Sequence, residues 1–191
     1  MGFIEGFTLG FGSSLLASLV LWYLTVILPR KRDQTNIAEH TRTILNGIIG
    51  QGIIVFNTLL RSAEIDRDFK SITLKDIKEL GPKIKLRTEA PPIVGFYIIK
   101  GVNYAQYLVF YKDRTVADLD RMFIYIHFLE SQLVKHLNTI LHSEYFQLCD
   151  VWLKNVERFT DPDMTSFDGA LYEYYNAIRS LESYCKQHQL I

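Results

Sequence analysis

Thr43–Leu60 reads TILNGIIGQGIIVFNTLL and carries no charged side chain. A run this apolar fits a helix that crosses a bilayer, and it equally fits the central helix of a folded domain. Its polar residues weigh against a span. Asn46, Gln51 and Asn57 would sit in hydrocarbon, and Gly47, Gly50 and Gly52 would weaken the helix. The pattern is also two-sided. Ile44, Leu45, Ile48, Ile49, Val55, Phe56, Leu59 and Leu60 fall on one helical stripe, and Asn46, Gly47, Gly50, Gln51, Asn57 and Thr58 fall on the other. The run therefore reads as an amphipathic core helix, part of a longer one from about Thr35 to Asp66. A second span or a membrane-lying helix is the competing reading.

Upstream, Gly6–Pro29 is also uncharged and is followed at once by Arg30-Lys31-Arg32. At about 1.5 Å per residue it reaches about 36 Å as a helix, enough for a hydrocarbon core of about 30 Å. Trp22 and Tyr23 lie near the basic end, where interfacial aromatics belong, and Pro29 is expected to close the segment. A signal peptide would start basic and have a shorter apolar core, whereas Glu5 is the only charge ahead of this run. The expected organisation is a transmembrane anchor over 1–29, a basic juxtamembrane linker over 30–42 and a cytoplasmic helical (α+β) domain over 43–191. By the positive-inside rule this is a single-pass protein of the inner membrane with its N-terminus outside. Gly2, Gly6, Gly10, Ser14 and Ser18 recur every fourth residue and line one ridge. Small ridges let helices approach closely in lipid, so the chain is expected to form a homo-oligomer through this segment.

Lys+Arg and Asp+Glu are equal at 21 each. Without Glu5 and Arg30-Lys31-Arg32 the body is near neutral with a slight acidic excess. That excludes a generic polyanion binder, and no long nucleic acid is expected as a partner. Cys149 and Cys185 are far apart, which suits a reducing compartment rather than a disulfide framework.

Within the body, Leu74–Leu80 reads as a short helix opened by Thr73 with Asp76 and stopped by Gly81-Pro82. Aromatic and β-branched residues then dominate. They suggest strands over Lys83–Thr88, Ile93–Lys100 and Tyr104–Lys112, the last two joined by a turn at Gly101–Asn103. The alternative is one buried helix over Ile93–Tyr111. A helical stripe resumes at Val116, with Thr115 and Asp118 as a start signal, and two helices follow near Glu144–Phe159 and Ser166–Gln187. The fold class is mostly α with a small β-meander.

The candidate site starts from alternation. Lys83, Lys85 and Arg87 flank Ile84 and Leu86, which on a strand puts the three cations on one face. Such a row suits a phosphate-bearing ligand, a nucleotide second messenger among the candidates, and a meander would bring Lys100, Asn103 and Tyr104 near it. The same row would serve as an edge-strand guard or as a contact for anionic headgroups. No HxxxH, CxxC or HExxH occurs around His127, Glu130, His136 and His142, so no metal is expected. Asp161, Asp163 and Asp168 lack the glycine and glutamate of a calcium loop. No phosphate-cradling glycine loop or nucleophile elbow is present, so no cofactor is implied.

Arg121 and His127, in RMFIYIH, are similar to the R-x5-H pair of the HEPN ribonucleases, with Met122 where that family usually has a polar residue. The resemblance implies a membrane-tethered ribonuclease using those two residues. In architecture, the anchor and cytoplasmic domain resemble the small membrane effectors of type III CRISPR defence. That resemblance implies a domain that binds a cyclic oligonucleotide and a membrane part that then disturbs the bilayer. The reading adopted is a non-enzymatic, membrane-anchored domain that senses an anionic ligand and acts through oligomerisation. A non-catalytic anchored subunit of a larger membrane complex is the alternative, and the ribonuclease stands third.

Overall fold

A computed structural model describes residues 18–94, 98–160 and 162–191, with 26–36 described for the backbone alone. Internal contacts divide the chain into Met1–Thr41 and Arg42–Ile191. Gly2, Gly6, Gly10 and Ser14 of the small-residue ridge lie outside the described residues.

Residues 18–22 are α-helical, a π-helical turn spans Tyr23–Ile27, and α1 runs from Leu28 to Ser62, its residues from Arg42 onward belonging to the second unit. Pro29 therefore does not close a helix, and the backbone over 30–42 is helical. A proline lacks an N–H and crowds the carbonyl four residues back. The π turn just before it already departs from the regular hydrogen-bond ladder, so the chain passes Pro29 without ending. The Thr25 hydroxyl bonds back to the Leu21 carbonyl at 2.7 Å. Leu19, Val20, Leu21, Trp22, Tyr23 and Leu24 are 48–65 % exposed. Six consecutive apolar or aromatic side chains face outward here, a patch of the kind that marks an interaction surface.

Among the described residues one helix, Ile37–Ser62, is long and apolar enough to cross a membrane by length and composition. More than half of its apolar window is buried inside the protein. Ile44, Leu45, Ile48, Ile49, Val55, Phe56, Leu59 and Leu60, the apolar stripe read from the sequence, are all buried in the core of the second unit. Phe56 meets Phe69, Tyr174 and Tyr175 with ring centroids 6.0, 6.0 and 5.6 Å away. The opposite stripe is not uniformly wet, as its sequence suggests. Gln51 is buried, donating to Asp118 Oδ2 at 2.7 Å and accepting from the Thr115 hydroxyl at 2.6 Å. A buried amide is tolerated because both of its ends find partners.

The short helix α2, Leu74–Leu80, forms as its sequence predicts. Thr73 and Asp76 exchange a full capping box, with Asp76 accepting from the Thr73 N–H at 2.8 Å and from its hydroxyl at 2.7 Å. Those bonds hold the Asp76 carboxyl below its ordinary value, against the opposing effect of burial.

The expected meander is largely absent. Among the described residues only Ile93–Val94 (β1) and Ile98–Ile99 (β2) pair, antiparallel, with Ile93 opposite Ile99 and Val94 opposite Ile98. Lys83–Thr88 is not a sheet strand: Gly81–Lys83 is a 3-10 turn, and beyond it Lys85 makes an isolated bridge to Asp163. Tyr104–Lys112 is not a strand either. It opens α3, Tyr104–Phe123, through a capping box between Asn103 and Gln106. Tyr104, Leu108, Tyr111, Thr115, Leu119 and Met122 are buried at spacings of three and four, so a helical period overrides local β preference. Thr115 is accordingly not a start signal but a mid-helix residue bonded to the Tyr111 carbonyl.

The apolar stripe is then interrupted. A 3-10 turn at Ile126–Phe128 separates α3 from α4, Ser131–Leu141. Helix α5, Glu144–Val151, stops well before Phe159, and a 3-10 stretch at Leu153–Arg158 with non-helical Asn155 (φ −114°, ψ 19°) replaces its second half. Helix α6, Asp168–Gln187, packs against α2, α4 and α5. Lys112, almost fully buried, ties α3 to α5 through Asp150 at 2.7 Å and also meets Asp113 at 2.7 Å.

Candidate functional site

The extended segment after α2 borders a concave region of the second unit. The Leu86 N–H donates to the Pro162 carbonyl at 2.9 Å, and the Leu86 carbonyl accepts from the Ala105 N–H at 3.1 Å. This wedges 84–88 between the loop before α6 and the start of α3. The alternation read from the sequence is real: Ile84 and Leu86 are buried, and Lys83, Lys85 and Arg87 face outward.

The three cations do not form an open row, however. Lys83 turns back to α2, donating to Glu79 at 2.9 Å and to the Ala63 carbonyl at 3.1 Å. Lys85 lies 3.7 Å from Asp163 Oδ2. Arg87 lies 3.4 Å from the Glu157 carboxylate and also donates to the Glu157 carbonyl. The other three candidates are distributed along the chain. Lys100 is exposed after β2, the Asn103 side chain is committed to capping α3, and Tyr104 is buried at 7 % exposure. The start of α3 does lie beside the cationic segment, through the Tyr104 N–H bond to the Thr88 carbonyl at 3.1 Å.

Beside Leu86 opens a cavity of about 470 Å³. Leu86, Leu153, Val156 and Phe167 form its buried floor. Trp152 and Phe159 form a wall, stacked with centroids 4.8 Å apart and planes 22° apart, and Trp152 is 48 % exposed. Thr160, Asp163 and Ser166 supply polar atoms. Asp163 Oδ1 accepts the Thr165 N–H at 3.0 Å; that bond, with smaller help from Lys85, holds its carboxyl below the ordinary carboxylate value. Asp163 is therefore ionised at neutral pH. The volume lies within the range of small-molecule pockets, and the lining is mostly apolar with a few polar atoms.

The cavity was hidden in the sequence because Glu144–Phe159 looks like one helix. On a straight helix Trp152 and Phe159 would stand about 10 Å apart, two turns along one face. The break at Asn155 brings their rings into contact. The TDPD loop at Thr160–Asp163 was the available hint that the chain reverses there.

The other sequence candidates stay apart. Arg121 donates to Asp118 at 3.3 Å near the end of α3, and His127 is exposed on the following 3-10 turn, so the pair does not share a helix. Cys149 and Cys185 are free and buried; burial pushes their thiols up to about 12 and about 11. Neither is a thiolate nucleophile at neutral pH. Among the described residues no group of three or more His, Cys, Asp or Glu could hold a metal ion. No family model matches the chain, and none of the curated proteins or solved structures compared with it matches either.

Proposed function

We propose that the chain is a membrane-tethered binding module, held by its N-terminal apolar helix and binding a small ligand in the cavity beside Leu86. The observation that carries the ligand half is the cavity: a buried apolar floor, a half-exposed stacked Trp152–Phe159 pair and one ionised carboxylate. The tether half is supported by the outward-facing side chains of Leu19–Leu24 and the uncharged run that contains them. Binding in the body would act on the membrane by favouring one of two assembly states of the small-residue ridge, which a ligand does only if it binds the two unequally.

A second reading keeps the ligand anionic and places it at Lys85 and Arg87. Both ion pairs are long and solvent-exposed. Pairs of that kind are worth about 0–1 kcal/mol, so an incoming phosphate or carboxylate displaces the acidic partners at little cost. The test is a ligand screen on the full chain in lipid nanodiscs, read by Trp152 emission in a Trp22→Phe background. Saturable responses that vanish when Ser166→Phe plugs the cavity mouth support the module. Responses lost instead in Lys85→Ala with Arg87→Ala, with the plug harmless, favour the anionic site. A screen without any hit, in a chain that alkaline washing strips from membranes, refutes the proposal.

A further inference from the structure

We propose that the cavity selects a molecule with a planar apolar ring and a protonated amine, the ring lying against Trp152 and the amine held by Asp163. This rests on the ligand-binding reading above and gives the ligand its chemical class.

The ring half follows from the wall. Phe159 covers one face of Trp152. Trp152 is still 48 % exposed, so a third ring can extend the stack in the offset geometry aromatic pairs prefer. The same exposed indole attracts a cation, which adds to the preference for an amine over a neutral head.

The amine half follows from charge. Among the described residues that line the cavity, Asp163 carries the one formal charge, and no Lys, Arg or His joins it. Asp163 is partnered by Thr165, through both its N–H and its side chain, and by Lys85, which leaves room for one further donor among its lone pairs. Its Oδ1 takes the Thr165 N–H at 3.0 Å, while Oδ2 faces Lys85 Nζ at 3.7 Å. That second distance is longer than the roughly 2.7–2.9 Å of a charge-assisted hydrogen bond, and a carboxylate offers about four lone-pair sites. An ammonium entering the cavity would find an ionised acceptor, which it would share with Thr165 and Lys85. An anionic ligand would set its charge against that carboxylate. An acyl chain, or an apolar segment of a second copy, would strip water from Asp163 and give nothing in return.

Three probes sharing one ring separate these cases: phenethylamine, 2-phenylethanol and 3-phenylpropionate. Each is titrated into the full-length Trp22→Phe chain in zwitterionic phosphatidylcholine nanodiscs, with Trp152 emission as the readout. The chain has two tryptophans, so Trp152 then reports alone. The expected order is amine tighter than alcohol tighter than acid, with about tenfold between amine and acid. Asp163→Asn, which keeps the acceptor for the Thr165 N–H, should erase the preference for the amine over the acid. Equal affinities in the parent, or a preference that survives Asp163→Asn, overturn the amine assignment and leave the cavity as a ligand site. The acid binding tightest overturns it in favour of the anionic reading. No saturable response to any probe at millimolar concentration overturns the ring-and-amine assignment, while the ligand-binding reading falls only if the wider screen is silent as well.

Discussion

Gly50→Ala and Gly52→Ala make the same chemical change two residues apart in the interior of α1. Each gains about 1 kcal/mol of helix propensity. What the new methyl meets differs. At Gly50 nothing lies within 4 Å of a Cβ position. At Gly52 a Cβ would stand 2.9 Å from Ile178 Cγ1, 3.0 Å from Cγ2 and 3.2 Å from Cδ1. Ile178 is fully buried on α6 at 0 % exposure. It is β-branched and stiff about χ1, and a close-packed interior leaves it nowhere to turn. Overpacking of this kind costs about 1–3 kcal/mol. Gly50→Ala should therefore stabilise by about 0.5–1 kcal/mol, and Gly52→Ala should range from neutral to about 2 kcal/mol destabilising. Propensity cancels in the comparison, so the difference of about 1–3 kcal/mol measures the α1–α6 contact alone. For a chain of this size that separates the melting temperatures by about 2–12 °C. The assay is thermal and urea unfolding of full-length variants in mild detergent, followed by far-UV circular dichroism. Ile178→Ala removes all three crowding atoms, so in that background Gly52→Ala should become stabilising, with a coupling energy of the same size. If Gly52→Ala stabilises the parent as much as Gly50→Ala does, the close approach of α1 to α6 is wrong.

Gln51→Leu should destabilise by about 1–3 kcal/mol, because Asp118 loses its 2.7 Å donor while Thr115 keeps its bond to the Tyr111 carbonyl. An unchanged urea midpoint would remove that network from the core. Asp76 titrates below its ordinary value in the folded protein because Thr73 bonds its carboxylate. The unfolded chain then takes up its proton first, so the stability Asp76 contributes is complete above about pH 5 and is lost as pH falls through the folded value. The gap in urea midpoint between parent and Asp76→Asn should thus shrink from pH ~5 to pH ~3, and a gap independent of pH contradicts the assignment. A reporter fused after Ile191 should be active only as a cytoplasmic probe; activity on the far side of the membrane reverses the orientation taken from Arg30-Lys31-Arg32. Gly6→Ile with Gly10→Ile should weaken self-association in a membrane assay, and undiminished association makes the ridge lipid-facing.

The sequence by itself determined what depends on near neighbours. The stripe Ile44 to Leu60 is a repeat of three and four residues, and burial follows it at every apolar position named. The capping box of α2 involves residues three apart, so Thr73 and Asp76 were sufficient to mark it. The alternation of Lys83, Lys85 and Arg87 with Ile84 and Leu86 was legible for the same reason. Tertiary structure decided the rest. Tyr104–Lys112 has the composition of a strand, and its helical period emerges only over the whole of α3, where α1 and α5 supply the partners. Gln51 looked like a solvent-facing residue until Thr115 and Asp118, more than sixty positions away, satisfied it. The cations found their partners at Glu79, Asp163 and Glu157, two of them more than sixty residues distant. The cavity needed both the break at Asn155 and the return of the Pro162 loop onto Leu86. Hydrogen bonds and apolar contacts between distant segments carry no local periodicity, so no window of sequence contains them.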